Sequence, residues 1–245
     1  MRDDLLDAQA AIDWAVAQIP CLEERFMAYL GRRPYDVVME PDPDQIGHVL
    51  LVFYSLGPPD AVLNAEVGVI INSLRTSLDM LFTALVRRNT NVELGRDTYF
   101  PITPDAANFL GTIQKHETEQ RLSQREAAAI KGLQPYKGGN DTLYLLHHLD
   151  IQRKHRRLIE LRPRPGSVRL PFFGPHTPVW DHMEDKSILL RFAPGTDFLP
   201  TKDNTDVPIQ IVIYEPSLGI DYAPVIRVLH HCAETAQGIV TLFDA

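Results

Sequence analysis

Ten of the nineteen prolines fall between Pro163 and Pro224, and this placement decides what each half of the chain can become. Proline has no N–H to give to a helix interior, and its ring collides with the carbonyl four residues back. No long helix can therefore occupy 163–224, and short strands are left: Val168–Phe172, Ser187–Phe192 and Pro208–Tyr214, the last containing the β-branched run Ile209-Gln-Ile-Val-Ile. Earlier in the chain, Tyr35–Glu40 and His48–Tyr54 flank the turn-forming stretch Pro41–Gly47 and predict a β-hairpin.

Helical spacing dominates elsewhere. From about Asp60 or Asn64 to Arg88, Val67, Ile70, Ile71, Leu74, Leu78, Leu81, Phe82 and Leu85 fill one arc, while Ala65, Gly68, Asn72, Thr76, Asp79, Thr83 and Arg87 fill the other, with Arg75 on the border. An amphipathic first helix is predicted over Asp3–Gln18, broken at Pro20 and resuming to Leu30. Tyr99–Ile102 reads as extended, Pro104–Gly111 and Glu117–Gly132 as helical, and Gln134–Asp141 as a loop that caps the helix opening after it. That helix is predicted to run to Leu161, and a final one from Tyr222 to Phe243. Segregated helices and strands predict an α+β fold: a core bundle of about four long helices, and an antiparallel sheet made by the N-terminal hairpin and the C-terminal strands. A single domain over 1–245 is expected, helical over about 60–160 and 222–243 and β-rich over 35–55 and 162–215.

The formal charge of −8 argues against a surface that coats nucleic acid or anionic membrane as a whole. A local exception is the span from Arg153 to Arg169, with seven Lys or Arg against one acid, Glu160. The acidic start has no secretory pattern, and no apolar run approaches the ~20 residues of a membrane span. Cys21 and Cys232 alone offer neither a disulfide framework nor a zinc cluster. A cytoplasmic protein without cofactor or membrane partner is the expectation.

The stretch Leu143–Arg162 places His147, His148, His155, Asp150 and several cations among apolar residues. Polar groups so placed are either partnered in the core or functional. The plain reading makes the histidines neutral and hydrogen-bonded; as metal ligands, His148 and His155 lie two turns apart, roughly 10 Å, too far to share an ion. For Asn72, Arg75 and Asp79 the plain reading is a surface i,i+4 pair; the sharper one buries them against another helix, where an Arg needs a carboxylate or a phosphate. Arg153, Lys154, Arg156, Arg157, Arg162, Arg164 and Arg169 suit phosphate oxygens if they point one way, and Tyr136, Phe172 and Phe173 are candidate base-stacking rings. No nucleophile elbow, P-loop or dinucleotide fingerprint is present.

Three segments carry a resemblance spanning roughly Gly68 to Ile159. Ile71-Asn-Ser-Leu-Arg-Thr-Ser-Leu-Asp-Met80 is similar to an Asn-Leu-Arg-x-x-Leu-Asp-His pattern, Leu133-Gln-Pro-Tyr136 forms the second, and Leu149-Asp-Ile-Gln-Arg-Lys-His-Arg156 resembles a Leu-Asp-Asn-x-Asp-Lys-His-Arg pattern. Together they resemble a group of uncharacterised bacterial proteins. More distantly, an Arg followed by a His on a bundle helix is similar to the signature of HEPN domains, many of which are RNases. That resemblance implies phosphate binding by Arg75. The His position is Met80, which moves no proton, while Ile151 and Arg153 replace an Asn and an Asp; His155 would have to supply the base.

Three function classes follow, in this order. The first is a non-catalytic, degenerate HEPN-like module that binds RNA, a nucleotide or a protein partner through Asn72, Arg75, Asp79, Lys154, His155 and Arg156. The second is an enzyme using Arg75, Asp150, His148 and His155 for acid–base chemistry such as phosphodiester cleavage. The third is a homodimer built on the long helix, which predicts an exposed apolar patch.

Overall fold

The computed structural model describes residues 1–90, 98–166, 168–169, 175–176, 179–181, 186–195 and 207–244. Helix α1 (Leu6–Gly31) is followed by strands β1 (Tyr35–Pro41) and β2 (Val49–Ser55), then by α2 (Ala61–Asn89), α3 (Ala106–Thr118), α4 (Gln124–Leu133) and α5 (Asp141–His155). Strands β3 (Leu161–Pro165), β4 (Val168–Arg169), β5 (Pro175–His176), β6 (Val179–Asp181), β7 (Lys186–Phe192), β8 (Ile209–Glu215) and β9 (Ile220–Pro224) lead to α6 (Val225–Leu242). The fold is α+β, with α1, α2, α5 and α6 packed as the central bundle.

Helix α2 occupies the middle of the bundle. Val67, Ile71, Leu74, Leu78, Leu81, Phe82 and Leu85 are fully buried along it, and Arg87 and Arg88 in its last turn oppose the negative end of the helix dipole. Helix α4 starts with a reciprocal Ser123/Glu126 capping box. Helix α5 starts with Asn140, whose side chain accepts from the Leu143 N–H at 3.1 Å.

Pro20 does not break the first helix. Residue 20 stands on the exposed side of a continuous α1, so the Val16 carbonyl that its missing N–H leaves unpaired is on the wet side, where water replaces the bond. Helix α5 is shorter than predicted. It stops at His155, with Arg156 as a non-helical cap (φ −129°), because Ile159 and Leu161 turn into the core and Leu161 opens β3. Arg156 and the cations after it are therefore not helical. The final helix begins at Val225, since Tyr222 takes a left-handed conformation (φ 77°) within β9. The predicted strand at 168–172 is described only as far as Arg169.

The strands make more than one sheet. The hairpin β1–β2 joins the C-terminal β7 and β6 in the antiparallel order β1-β2-β7-β6, as expected, but β8 pairs with β3 and β9 in a separate three-stranded sheet, and β4 pairs with β5. The β3-β8-β9 sheet shares the main core through Leu161, Ile211 and Ile213, whereas Leu51, Phe53, Leu189 and Phe192 form a second, smaller cluster within the hairpin sheet. On the first of these sheets Arg162, Tyr214, Tyr222 and Arg164 stack in sequence, the two tyrosine rings 5.6 Å apart and one guanidinium over each. This stack holds the Tyr222 backbone in a region that bulky side chains seldom occupy.

Candidate functional site

The polar residues singled out in the sequence meet in the seam between α2 and α5, which run antiparallel past each other. At one end Gly68 leaves room for Arg153: a Cβ at position 68 would lie 2.4 Å from the Arg153 Cδ. One turn on, the Asn72 amide donates to the Asp150 carboxylate at 3.0 Å, and Lys154 closes the other Asp150 oxygen at 2.6 Å. Next comes Arg75, 4% exposed. Its Nη1 donates to Asp79 at 2.5 Å, its Nη2 to the Phe100 carbonyl at 3.0 Å and its Nε to His147 Nδ1 at 3.3 Å. Asp79 also accepts from the Phe100 N–H at 2.9 Å.

Each charge in the seam is met by another, as burial requires. Burial raises the Asp79 carboxyl above its usual range even against the lowering by Arg75 and the Phe100 N–H. Burial, the Arg75 charge and His148 hold the His147 imidazole down to about 4, so at neutral pH it is uncharged and accepts at Nδ1 with its proton on Nε2. Phe100 packs edge-on to Phe82 in the core. The Arg75–Asp79 pair thereby grips both backbone groups of Phe100 and fixes the 98–102 segment against α2.

The outer side of α5 is different. His155 and Arg156 are exposed and take no part in this seam. His148 lies against Tyr144, ring centroids 4.1 Å apart, and edge-on to His147 at 5.5 Å. Burial, followed by the positive charges of Arg156 and Lys137, lowers the His148 pKa. Much of the basic run is already neutralised: Lys154 by Asp150, Arg157 by Glu160 and the fully buried Glu215, and Arg162 by Glu160. Among the described residues, Lys137 and Arg156 have no carboxylate partner.

Arg75 and Asp150 thus stand in neighbouring layers of one seam with different partners, and His155 joins neither. Sequence reasoning missed His147 as the Arg75 acceptor, Phe100 as the clamped segment, and Lys137 as a cation beside His148; the Gly-Gly turn after Lys137, which returns the chain to the start of α5, was the available signal for the last. Tyr136 packs against Phe109 at 5.6 Å beside the main core, and Phe172 and Phe173 lie outside the described residues. His230 and His231 are exposed on α6. No group of three or more His, Cys, Asp or Glu suited to a metal occurs among the described residues. Cys232 is buried, its thiol pushed up to about 12 by burial; a thiol so protonated is no nucleophile at neutral pH. No protein-family model, curated protein or solved structure matches the chain.

Proposed function

We propose that this chain is a non-catalytic module that binds RNA through the outer face of α5. Asn72, Arg75 and Asp79 act within it as architecture, because each of the three guanidinium nitrogens of the buried Arg75 already has a protein acceptor. The binding surface is Lys137, Tyr144, His148, His155 and Arg156, with Lys154 at its edge. The observation that carries this reading is the pair of exposed cations, Lys137 and Arg156, flanking a half-buried imidazole whose ring lies tilted against a tyrosine. Cations position a phosphate backbone, while a ring edge and an imidazole suit an unstacked base. A degenerate HEPN-like ancestry is compatible with this reading, since Met80 is exposed and offers no proton.

The test is fluorescence anisotropy with a labelled single-stranded RNA over a salt series. Wild type binds at low salt, with affinity falling as salt rises. The Lys137→Ala/Arg156→Ala double variant binds at least tenfold more weakly and has a shallower slope, by about 0.7 for each phosphate that is no longer neutralised. Arg227→Ala, at an exposed cation on α6, binds as wild type. Absence of binding at low salt, or equal weakening in both variants, ends the proposal. Cleavage of the RNA in the same tubes, abolished by His155→Ala or His148→Ala, would move the reading to the enzyme alternative.

A further inference from the structure

The seam that buries Arg75 and the face assigned to RNA are joined by one short piece of chain, Phe100-Pro-Ile-Thr-Pro104, which leads from the grip on Phe100 toward the loop that carries Lys137. Pro101 and Pro104 fix their own φ and push Phe100 and Thr103, the residues before them, toward extended backbone. Phe100, Pro101 and Ile102 are buried along this piece. It is a stiff strap, spanning about 10 Å from residue 100 to residue 103 at roughly 3.3 Å per residue, with little slack to absorb a shift at one end.

Both ends of the strap are tied. At residue 100 the N–H donates to Asp79 at 2.9 Å and the carbonyl accepts from Arg75 at 3.0 Å. At residue 103 the N–H donates to the Pro135 carbonyl at 3.0 Å, and the strap lies there parallel to Tyr136. Pro135 is buried, and Lys137, two residues on, is exposed. The loop from Gln134 to Asn140 adds little freedom of its own. The Gln134 carbonyl accepts from the N–H groups of Tyr136 and Asn140 at 2.7 and 2.8 Å, and the Gly139 N–H donates to the Tyr136 carbonyl at 3.0 Å. Gly139 is packed so closely that a Cβ there would stand 2.5 Å from the Gln134 oxygen. A loop closed in this way moves as one piece, so the hold on Pro135 sets where the Lys137 backbone stands.

The Arg75 guanidinium faces both halves of the RNA surface at once. Nη2 holds the strap that leads to Lys137, while Nε donates at 3.3 Å to His147 on α5, the helix that carries His148 and ends at Arg156. We infer that Arg75 is a positioning residue for the RNA site, which holds the Lys137 loop at a fixed place relative to His148 and Arg156 through the 100–103 strap and Pro135. This role rests on the RNA reading above for its ligand, whereas the link from Arg75 to the loop rests on the hydrogen bonds alone. A cation already held in place loses less freedom on meeting a phosphate than one on a loose loop, so Arg75 acts on affinity without touching the ligand. Linkage makes the effect mutual: RNA bound at Lys137 steadies the strap.

The test uses the full chain and three variants, each checked for native helix content by circular dichroism. Arg75→Met releases the strap at residue 100, Thr103→Pro removes the N–H that Pro135 accepts, and Phe53→Ala loosens the hairpin sheet instead. Amide hydrogen exchange read by mass spectrometry should quicken at least fivefold over residues 134–140 in the first two and match wild type in the third. In anisotropy with labelled single-stranded RNA, Arg75→Met should bind at least fivefold more weakly than wild type. When both chains also carry Lys137→Ala, the same substitution should cost less than twofold, because the loop then has no cation to place. Added RNA should slow wild-type exchange over residues 100–103. Unchanged exchange over 134–140 in both strap variants overturns the positioning role, and so does an Arg75→Met loss that persists in full beside Lys137→Ala. If wild type binds no RNA while exchange over 134–140 responds, the RNA reading has failed and the strap has not. Should Arg75→Met fail to fold, Thr103→Pro carries both measurements.

Discussion

At the scale of single residues, Arg75 has three acceptors and almost no contact with water. An apolar substitute of similar length, Arg75→Met, leaves Asp79 three-quarters buried without its cation and the Phe100 carbonyl without its donor. Breaking such a pair from one side costs about 3 kcal/mol, measurable as a lower urea midpoint. The loss should be larger at neutral than at acidic pH, because a protonated Asp79 no longer needs the charge. His147 sets a second pH dependence. Its folded pKa of about 4 lies below the 6.5 of an unfolded histidine, so between these values the unfolded chain binds a proton that the folded chain refuses. Stability is fully present above about 6.5 and is lost as pH falls toward 4. His147→Gln keeps an acceptor for Arg75 without an ionisable group, and urea titrations at several pH values should show a flatter slope in that window. His148 contributes in the same direction and remains in the variant.

At the scale of elements, much of the architecture was legible and the site only partly so. The α2 register was readable because its apolar residues recur at three and four over eight turns, and the same periodicity put Asn72 and Asp79 off the core arc and Arg75 at its border. Their partners were not readable: His147 is 72 residues from Arg75 and Phe100 is 25, and no local pattern encodes a meeting over such separations. Local pattern misled at Pro20, where the rule against proline inside helices is relaxed by exposure. It misled again after His155, where apolar residues on every side of the run looked like a continuing helix. There Ile159 and Leu161 are buried through a turn held by Glu215, whose carboxylate accepts from the Glu160 N–H at 3.2 Å and pairs with Arg157 at 2.9 Å. The division of β8 and the hairpin between different sheets likewise rests on pairing over long separations, to which alternation within one strand is blind.

At the scale of the whole molecule, the two buried clusters are unequal. The larger joins all four bundle helices to the β3-β8-β9 sheet, whereas the hairpin sheet relies on Leu51, Phe53, Leu189 and Phe192. Phe53, fully buried there and stacked on Tyr35 at 5.5 Å, is the lever that separates them. Phe53→Ala should cost the hairpin sheet about 3–5 kcal/mol and open it locally. In amide hydrogen exchange read by mass spectrometry, peptides from β1, β2 and β7 should exchange faster, while those from α2 and α6 keep wild-type protection. Uniform acceleration would instead mean that the clusters unfold as one. The grip on residue 100 has a consequence for how this chain can vary. Asp79 and Arg75 read only the amide and the carbonyl there, while the ring answers separately to Phe82 and the core. The two demands can therefore drift apart over generations: leucine or methionine at 100 would leave the clasp intact and merely repack the interior, whereas proline, which removes the amide hydrogen that Asp79 accepts there, would undo that half of the clasp even where its bulk was tolerated.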